Sequence, residues 1–238
     1  MKTLNTTTTG LDRRHFLQVS ATAAAGLSLA FYLPEKADAA DTPRLNAWIE
    51  IQPDDTIVIR YARTEMGQGS RTSAPMMVAE ELDADWKKVR IEYATAHDNL
   101  RQKRVYGDMA TVGSRTIRNS QAYLRQAGGT ARHMLVAAAA QSWGVPAAEC
   151  STALGRVQHL ASKRSLSYGK LAAAAAKLEA PKEVKLKDPK DWKIIGKSIP
   201  RVDIPAIVTV VIRYGFDAQL PGMLHAAVSD CPVFNGRV

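Results

Sequence analysis

The sequence predicts an α+β fold: a β-β-α-β unit followed by a long helix. Three observations predict it. Segments near 45–51, 56–62 and 88–94 alternate apolar and polar residues, the period of a half-buried strand. Two longer segments, 73–86 and 117–143, repeat apolar residues at helical spacing. Turn-forming residues separate the segments.

Taken in order, LNAWIEI (45–51) alternates, QPDD turns the chain, and TIVIRYA (56–62) alternates again, which predicts a β-hairpin. SAPMMVAEELDADW (73–86) places Met76, Met77, Val78 and Leu82 at helical positions. Ser73 suits its N-cap, and Pro75 then falls in the first turn, where a missing N–H costs nothing. KVRIEYA (88–94) is a third strand. A polar loop with Gly107 and Gly113 spans 95–115. The long helix runs from about Ile117 to Trp143, with Tyr123, Leu124, Ala127, Ala131, Met134, Leu135 and Ala138 on one face. Gly128-Gly129 marks either a kink or a point of close packing. Gly144 ends the helix, with Pro146 just beyond.

Residues 151–166 predict a small hairpin (ALGRVQHL, then KRSLS), and Ser167 caps a short alanine-rich helix at 171–178. Pro181, Pro189, Pro200 and mixed charges give 179–199 the composition of a linker. From Arg201 a second, strand-rich unit begins, with VDIPAIVTVVIRYGFD and LPGMLHAAVSDCPV. The sequence shows no internal repeat.

The first 39 residues read as an address. A charged start, an apolar run from Val19 to Leu33 and the small-x-small exit Ala37-Asp38-Ala39 form a secretory signal peptide. At about fifteen residues the run is too short to span a bilayer. Arg13, Arg14, Phe16 and Leu17, within RRHFL, resemble the twin-arginine export motif. Asp12 and Gln18 depart from that motif. The expected location is therefore the periplasm, reached through the twin-arginine translocase. That route carries folded proteins and raises the expectation of a bound redox cofactor.

Removing 1–39 takes away four basic and three acidic residues, so the formal charge of +9 becomes +8 and the basic character belongs to the mature chain. The basic residues are spread out, interrupted by acids and not interleaved with aromatics, which argues against nucleic acid as a partner. Two cysteines, Cys150 and Cys231, cannot supply the four ligands of an ordinary zinc or iron–sulfur site. Whether they pair is open at this level.

The candidate site residues lie at two element junctions. RTEMGQGSRTS (63–73) sets Gly67, Gln68 and Gly69 between a strand and a helix. The glycines either permit a tight reversal or let backbone N–H groups approach an anionic ligand at the helix N-terminus. Gln68 would then offer an amide at a fixed point. The third glycine of a dinucleotide-binding fingerprint is missing. GDMATVGSRTIR (107–118) brings Gly113, Ser114, Thr116 and Arg118 to the start of the long helix. This composition suits either helix capping by Ser114 or phosphate binding.

TEMGQGSRT resembles the EMGQG-x-x-T element of the molybdenum hydroxylases, the xanthine dehydrogenase and aldehyde oxidase superfamily. PMMVAEELDADWKKVRIEYA, LRQAGGTARHMLVAAAAQSWGVPAAEC and IGKSIPRVDIPA…YGFDAQLPGMLHAAV look like its periplasmic branch, typified by the isoquinoline 1-oxidoreductase beta chain. The resemblance covers nearly all of 40–238. It implies that Gly67, Gln68 and Gly69 lie against a molybdopterin, in this branch the cytosine dinucleotide form. It also implies that Gln68 hydrogen-bonds a ligand of the molybdenum without binding the metal itself, and that Gly113, Ser114 and Thr116 line the cofactor. Val112 and Asn119 replace family glycines in that second loop. The implied domains are 40–178, the N-terminal part of a molybdopterin-binding domain; 179–199, a linker; and 200–238, an incomplete α/β hammerhead domain, where Ile207 and Val210 replace the usual Lys and Gly.

The implied activity is hydroxylation of an N-heterocycle or aldehyde with oxygen from water. Iron–sulfur clusters are expected on a separate small 2Fe-2S subunit, with a cytochrome c as a further electron acceptor. The family's catalytic glutamate and substrate pocket lie in a C-terminal part of the large subunit that this sequence does not match. No catalytic residue is therefore assigned here, and the chain is expected to be inactive alone: a fragment, one half of a split enzyme, or a non-catalytic binding protein on the same fold. Glu65 belongs to the EMGQG element, and Glu80 and Glu81 are expected on the solvent face of the early helix.

Overall fold

The structure, a computed structural model, describes residues 27–29, 48–101 and 103–236. The export motif (Arg13, Arg14, Phe16, Leu17) and the cleavage site at 37–39 lie outside the described residues. The chain divides into a first unit ending at Arg201 and a second covering 202–238.

In the first unit, β2 (Ile49–Ile51) and β3 (Ile57–Tyr61) form the expected hairpin, with Ile49 opposite Ile59. β1 (Leu27–Leu29), within the predicted export segment, pairs antiparallel with β2. From β3 the chain passes through α1 (Ser70–Leu82) into β4 (Val89–Tyr93), which pairs parallel to β3, as a helical crossover permits. The sheet order is β1-β2-β3-β4. Ile49, Ile51, Ile57, Ile59 and Val58 are buried to 1% exposure or less, so both faces of the hairpin are covered.

α1 begins three residues earlier than expected. Gly69, at φ 79°, is its N-cap, and Ser73 lies inside the helix with its Oγ donating to the Gly69 carbonyl at 3.3 Å. Pro75 is consequently interior, not first-turn, and removes one helical hydrogen bond. The 95–115 loop contains a further helix, α2 (Ala96–Arg101). The long helix is two: α3 (Arg115–Arg118) and α4 (Gln121–Trp143), separated at Asn119 and Ser120. α4 runs unbroken through Gly128-Gly129, so those glycines serve close packing. A Cβ on Gly128 would stand 2.4 Å from the Val78 carbonyl oxygen on α1.

The predicted small hairpin is a three-stranded meander: β5 (Cys150–Ala153), β6 (Arg156–His159) and β7 (Arg164–Ser167). It continues into α5 (Tyr168–Ala175), with Ser167 at the N-cap position as expected but without a side-chain capping bond. Tyr168 Oη donates to the Leu82 carbonyl at 2.7 Å and Thr152 Oγ1 to Asp83 at 2.6 Å, which fixes the meander to the end of α1.

Glu80 and Glu81 overturn their expected place on a solvent face, since both are fully buried. Glu80 accepts the backbone N–H groups of Lys193, Ile194 and Ile195 at 2.8, 2.6 and 3.1 Å, and the Lys187 ammonium at 2.9 Å. Glu81 accepts Arg125 Nε at 2.8 Å and the Lys187 N–H at 3.0 Å. The stretch 179–199, linker-like in composition, is thus strapped across α1 within the first unit. Apolar burial alone does not explain the strap. Two carboxylates supply acceptors to a segment that has no strand partner for its own N–H groups.

The second unit contains α6 (Ile204–Val208) and a 3-10 turn at Gly215–Asp217. Its expected strand-rich character is not seen: residues 202–236 hold no strand. β-branched runs form strands only when a neighbouring strand takes up their backbone hydrogen bonds. Here Val208, Val210, Val211, Phe216, Leu224 and Val228 remain exposed. Cys150 and Cys231 are both free thiols.

Candidate functional site

The loop 64–69 leaves the end of β3 and delivers the chain to α1. Gly67 at φ 103° and Gly69 at φ 79° hold conformations that side-chain-bearing residues rarely adopt. A Cβ on Gly67 would meet nothing within 4 Å, so backbone angle, not space, requires glycine there.

Glu65 organises this loop. Its Oε1 accepts the N–H groups of Gly67 and Gly69, and its Oε2 that of Arg71, all at 2.8 Å. Arg201 adds its guanidinium, 3.7 Å from Oε1, and donates to the Gly67 carbonyl at 3.0 Å. The N-terminus of α1 therefore holds an anion from its own chain. Burial pushes the Glu65 carboxyl up, but the amides of Arg71, Gly69 and Gly67, then Arg201, outweigh it and hold it below its ordinary value.

Gln68 is exposed at the tip, yet its amide is engaged. Its Oε1 accepts the Met66 N–H at 2.6 Å. Its Nε2 donates to the Thr64 carbonyl at 2.8 Å and to Ser70 Oγ at 2.7 Å. Ser70 Oγ also lies 2.6 Å from Tyr61 Oη in the interior. Burial pushes the Tyr61 phenol up to about 12, so it remains a neutral hydroxyl.

The second loop is bound to the first. Arg63 Nη1 donates to Asp108 at 2.7 Å and to the Ala110 carbonyl, while the Thr64 N–H donates to Thr111 Oγ1 at 2.8 Å. Arg115 reaches the other Asp108 oxygen at 3.1 Å. Gly113 and Ser114 are exposed in left-handed conformations, at φ 56° and 59°. Ser114 occupies the N-cap of α3 without a capping bond. Thr116 differs: it is buried, lining a shallow crevice with Trp48, Tyr61, Arg63, Pro75 and Tyr123. Gly67, Gln68, Gly69, Gly113 and Ser114 thus sit on two braced, exposed loops, while Thr116 belongs to the layer below. The bracing residues Arg63, Thr64, Asp108 and Thr111, and the clamp formed by Glu65 and Arg201, were not legible as site residues. The one available signal was an acidic residue two and four positions ahead of the glycines whose N–H groups it accepts.

Arg63 Nε and Arg71 Nε, on either side of the loop, are buried and without a hydrogen-bond partner. The Arg71 guanidinium lies over the Tyr93 ring, 4.9 Å from its centre. A glycine-bare lip with the Arg71 guanidinium beside it fits an acceptor-rich, anionic group. The helix-end amides cannot serve that group while Glu65 holds them.

Residues 11–203 match the profile of the molybdopterin cofactor-binding domain. The chain belongs to that family. Among its relatives is the beta chain of the isoquinoline 1-oxidoreductase of Brevundimonas diminuta, 34% identical over 95% of this chain and 34% of the relative. A chain of the nicotinate dehydrogenase of Pseudomonas putida is 33% identical over 79% of this chain and 15% of its own length. A protein of Gluconacetobacter polyoxogenes named as a membrane-bound, pyrroloquinoline-quinone aldehyde dehydrogenase is 31% identical over 90% of this chain and 29% of its own length. This molybdopterin-binding chain therefore spans about a third of the length of the first relative, and less of the others. The structure of a carbon monoxide dehydrogenase from Oligotropha carboxidovorans shows a partial likeness: TM-score 0.44 and 21% identity over 60% of this chain and 18% of that one.

Proposed function

We propose that this chain is the molybdopterin-binding, N-terminal part of the large subunit of a periplasmic molybdenum hydroxylase acting on N-heterocycles or aldehydes. The observation that carries the reading is the Gly67-Gln68-Gly69 loop: glycine-bare, exposed and braced against the 108–116 loop. The family match over 11–203 supports it.

In this reading Gly67, Gln68 and Gly69 hold the pterin side of the cofactor, and Gly113 and Ser114 border it. Thr116 supports the second loop from beneath. Arg71 supplies charge toward the cofactor's phosphate. When bound, the cofactor supplies the chemistry of hydroxylation with oxygen from water. Gln68 orients it. Turning an N–H outward costs Gln68 least at Ser70, because Ser70 Oγ keeps Tyr61 Oη as a partner. Molybdopterin cytosine dinucleotide is the proposed form.

The catalytic glutamate and substrate pocket belong to the remaining part of the large subunit. Residues 200–238 begin an α/β hammerhead domain whose strand partners come from that part. Electrons leave through a small 2Fe-2S subunit and then a cytochrome c. The twin-arginine translocase exports the folded assembly.

Gln68→Ala in the reconstituted complex tests the assignment. Turnover should fall while the unfolding free energy stays within about 1 kcal/mol of wild type, as for an exposed side chain. Unchanged turnover contradicts the role of Gln68.

A further inference from the structure

The two residues that shape the 64–71 loop make no contact that a cofactor is needed to complete. Glu65 fills the three N–H groups that an external anion would use, and it is only 8% exposed. Arg201 comes from the far end of the strap that Glu80 and Glu81 anchor. It grips the loop at two points, the Gly67 carbonyl and the Glu65 carboxylate, and its Cδ lies 4.0 Å from the position of a Cβ on Gly69. Gln68 sits at the exposed tip of this loop. Its own bonds, to Met66, Thr64 and Ser70, are all to residues of the loop itself, so its orientation is only as fixed as the loop.

We propose that Glu65 and Arg201 are positioning residues: an internal anion and its clamp, which hold the Gln68 amide in a set place before any cofactor arrives. The inference rests on the reading of Gln68 as a cofactor contact. It assigns Glu65 no proton transfer and no metal contact. A loop assembled in advance loses less conformational freedom when a ligand binds, and a carboxylate hydrogen-bonded to three amides with an arginine 3.7 Å away is a strong local organiser. Coupling also runs from the strap to the loop, because Arg201 follows directly on the segment docked against α1.

The test is nuclear magnetic resonance on the full-length, cofactor-free chain, comparing wild type with Glu65→Gln, Arg201→Ala and Arg201→Lys. In Glu65→Gln one carboxylate oxygen becomes an NH2 group, which cannot accept. Hydrogen exchange at the Gly67, Gly69 or Arg71 amides should accelerate by roughly tenfold or more, while the Ile59 and Val78 amides in the core keep wild-type rates. The Gln68 side-chain NH2 signals should move and broaden in Glu65→Gln and in Arg201→Ala. Arg201→Lys, which keeps the charge but loses the fork, should move them less. Arg201 is partly exposed, so its variants remain informative if Glu65→Gln fails to fold. Gln68 signals that stay in place in the Arg201 variants, or loop amides that exchange as in wild type, overturn the proposal. Molybdenum content of the assembled wild-type enzyme is a separate measurement: its absence contradicts the cofactor reading and leaves the loop result standing.

Discussion

Two carboxylates, one just ahead of α1 and one in its last turn, carry much of the local order, each by accepting three backbone N–H groups. Glu65 takes those of Gly67, Gly69 and Arg71, and Glu80 those of Lys193, Ile194 and Ile195. Burial raises both carboxyls, but these amides, with Lys187 at Glu80 and Arg201 at Glu65, bring each below the ordinary value of 4.5. A depressed folded-state value means that the stabilisation is fully present above 4.5 and is lost as pH falls through the lower folded values. Urea midpoints measured from neutral pH downward should therefore drop below that point. Glu80→Gln should start lower at neutral pH and lose less on acidification. Equal acid losses in wild type and variant contradict the assignment. At this scale the sequence was least legible. Glu80 and Glu81 have the composition of a solvent face, and only the strap more than a hundred residues away makes them interior.

At the scale of elements, periodicity located β2, β3, β4, α1 and the long helical segment but not α2 within the 95–115 loop, and local chemistry set the ends. α1 starts at Ser70 because Glu65 reaches forward to cap it and Gly69 adopts a left-handed angle. Ser73 and Pro75 argued for a later start, and neither signal contains Glu65. The long helix divides at Asn119 and Ser120, where apolar spacing alone gives no break. Gly128 is the clearest element-level test. Its Cβ would meet the Val78 carbonyl oxygen at 2.4 Å and Glu81 Cβ at 2.9 Å, so Gly128→Ala must push α4 off α1. A loss of about 1–3 kcal/mol is expected, the usual cost of overpacking, although alanine favours a helix. A denaturation midpoint at or above wild type contradicts the close packing.

For the whole molecule, the family was legible from the resemblance of EMGQG and its flanking segments, and the α+β class of the first unit from its alternating and helical periods. The strand-rich expectation for 202–238 failed for a physical reason. Strand propensity is a preference for a paired, half-buried environment, and the described residues of this unit form no strand pair with one another, while Phe216, Leu224 and Phe234 are exposed. The chain spans about a third of the length of the isoquinoline 1-oxidoreductase beta chain it matches, so under the proposed function further polypeptide completes the site. The most direct measurement is an experimental structure of the assembled, cofactor-loaded enzyme. The account predicts pterin density against Gly67-Gln68-Gly69, with the Gln68 amide released from Ser70 and turned toward the cofactor. Cofactor density elsewhere, with Gln68 still bonded to both Thr64 and Ser70, contradicts it.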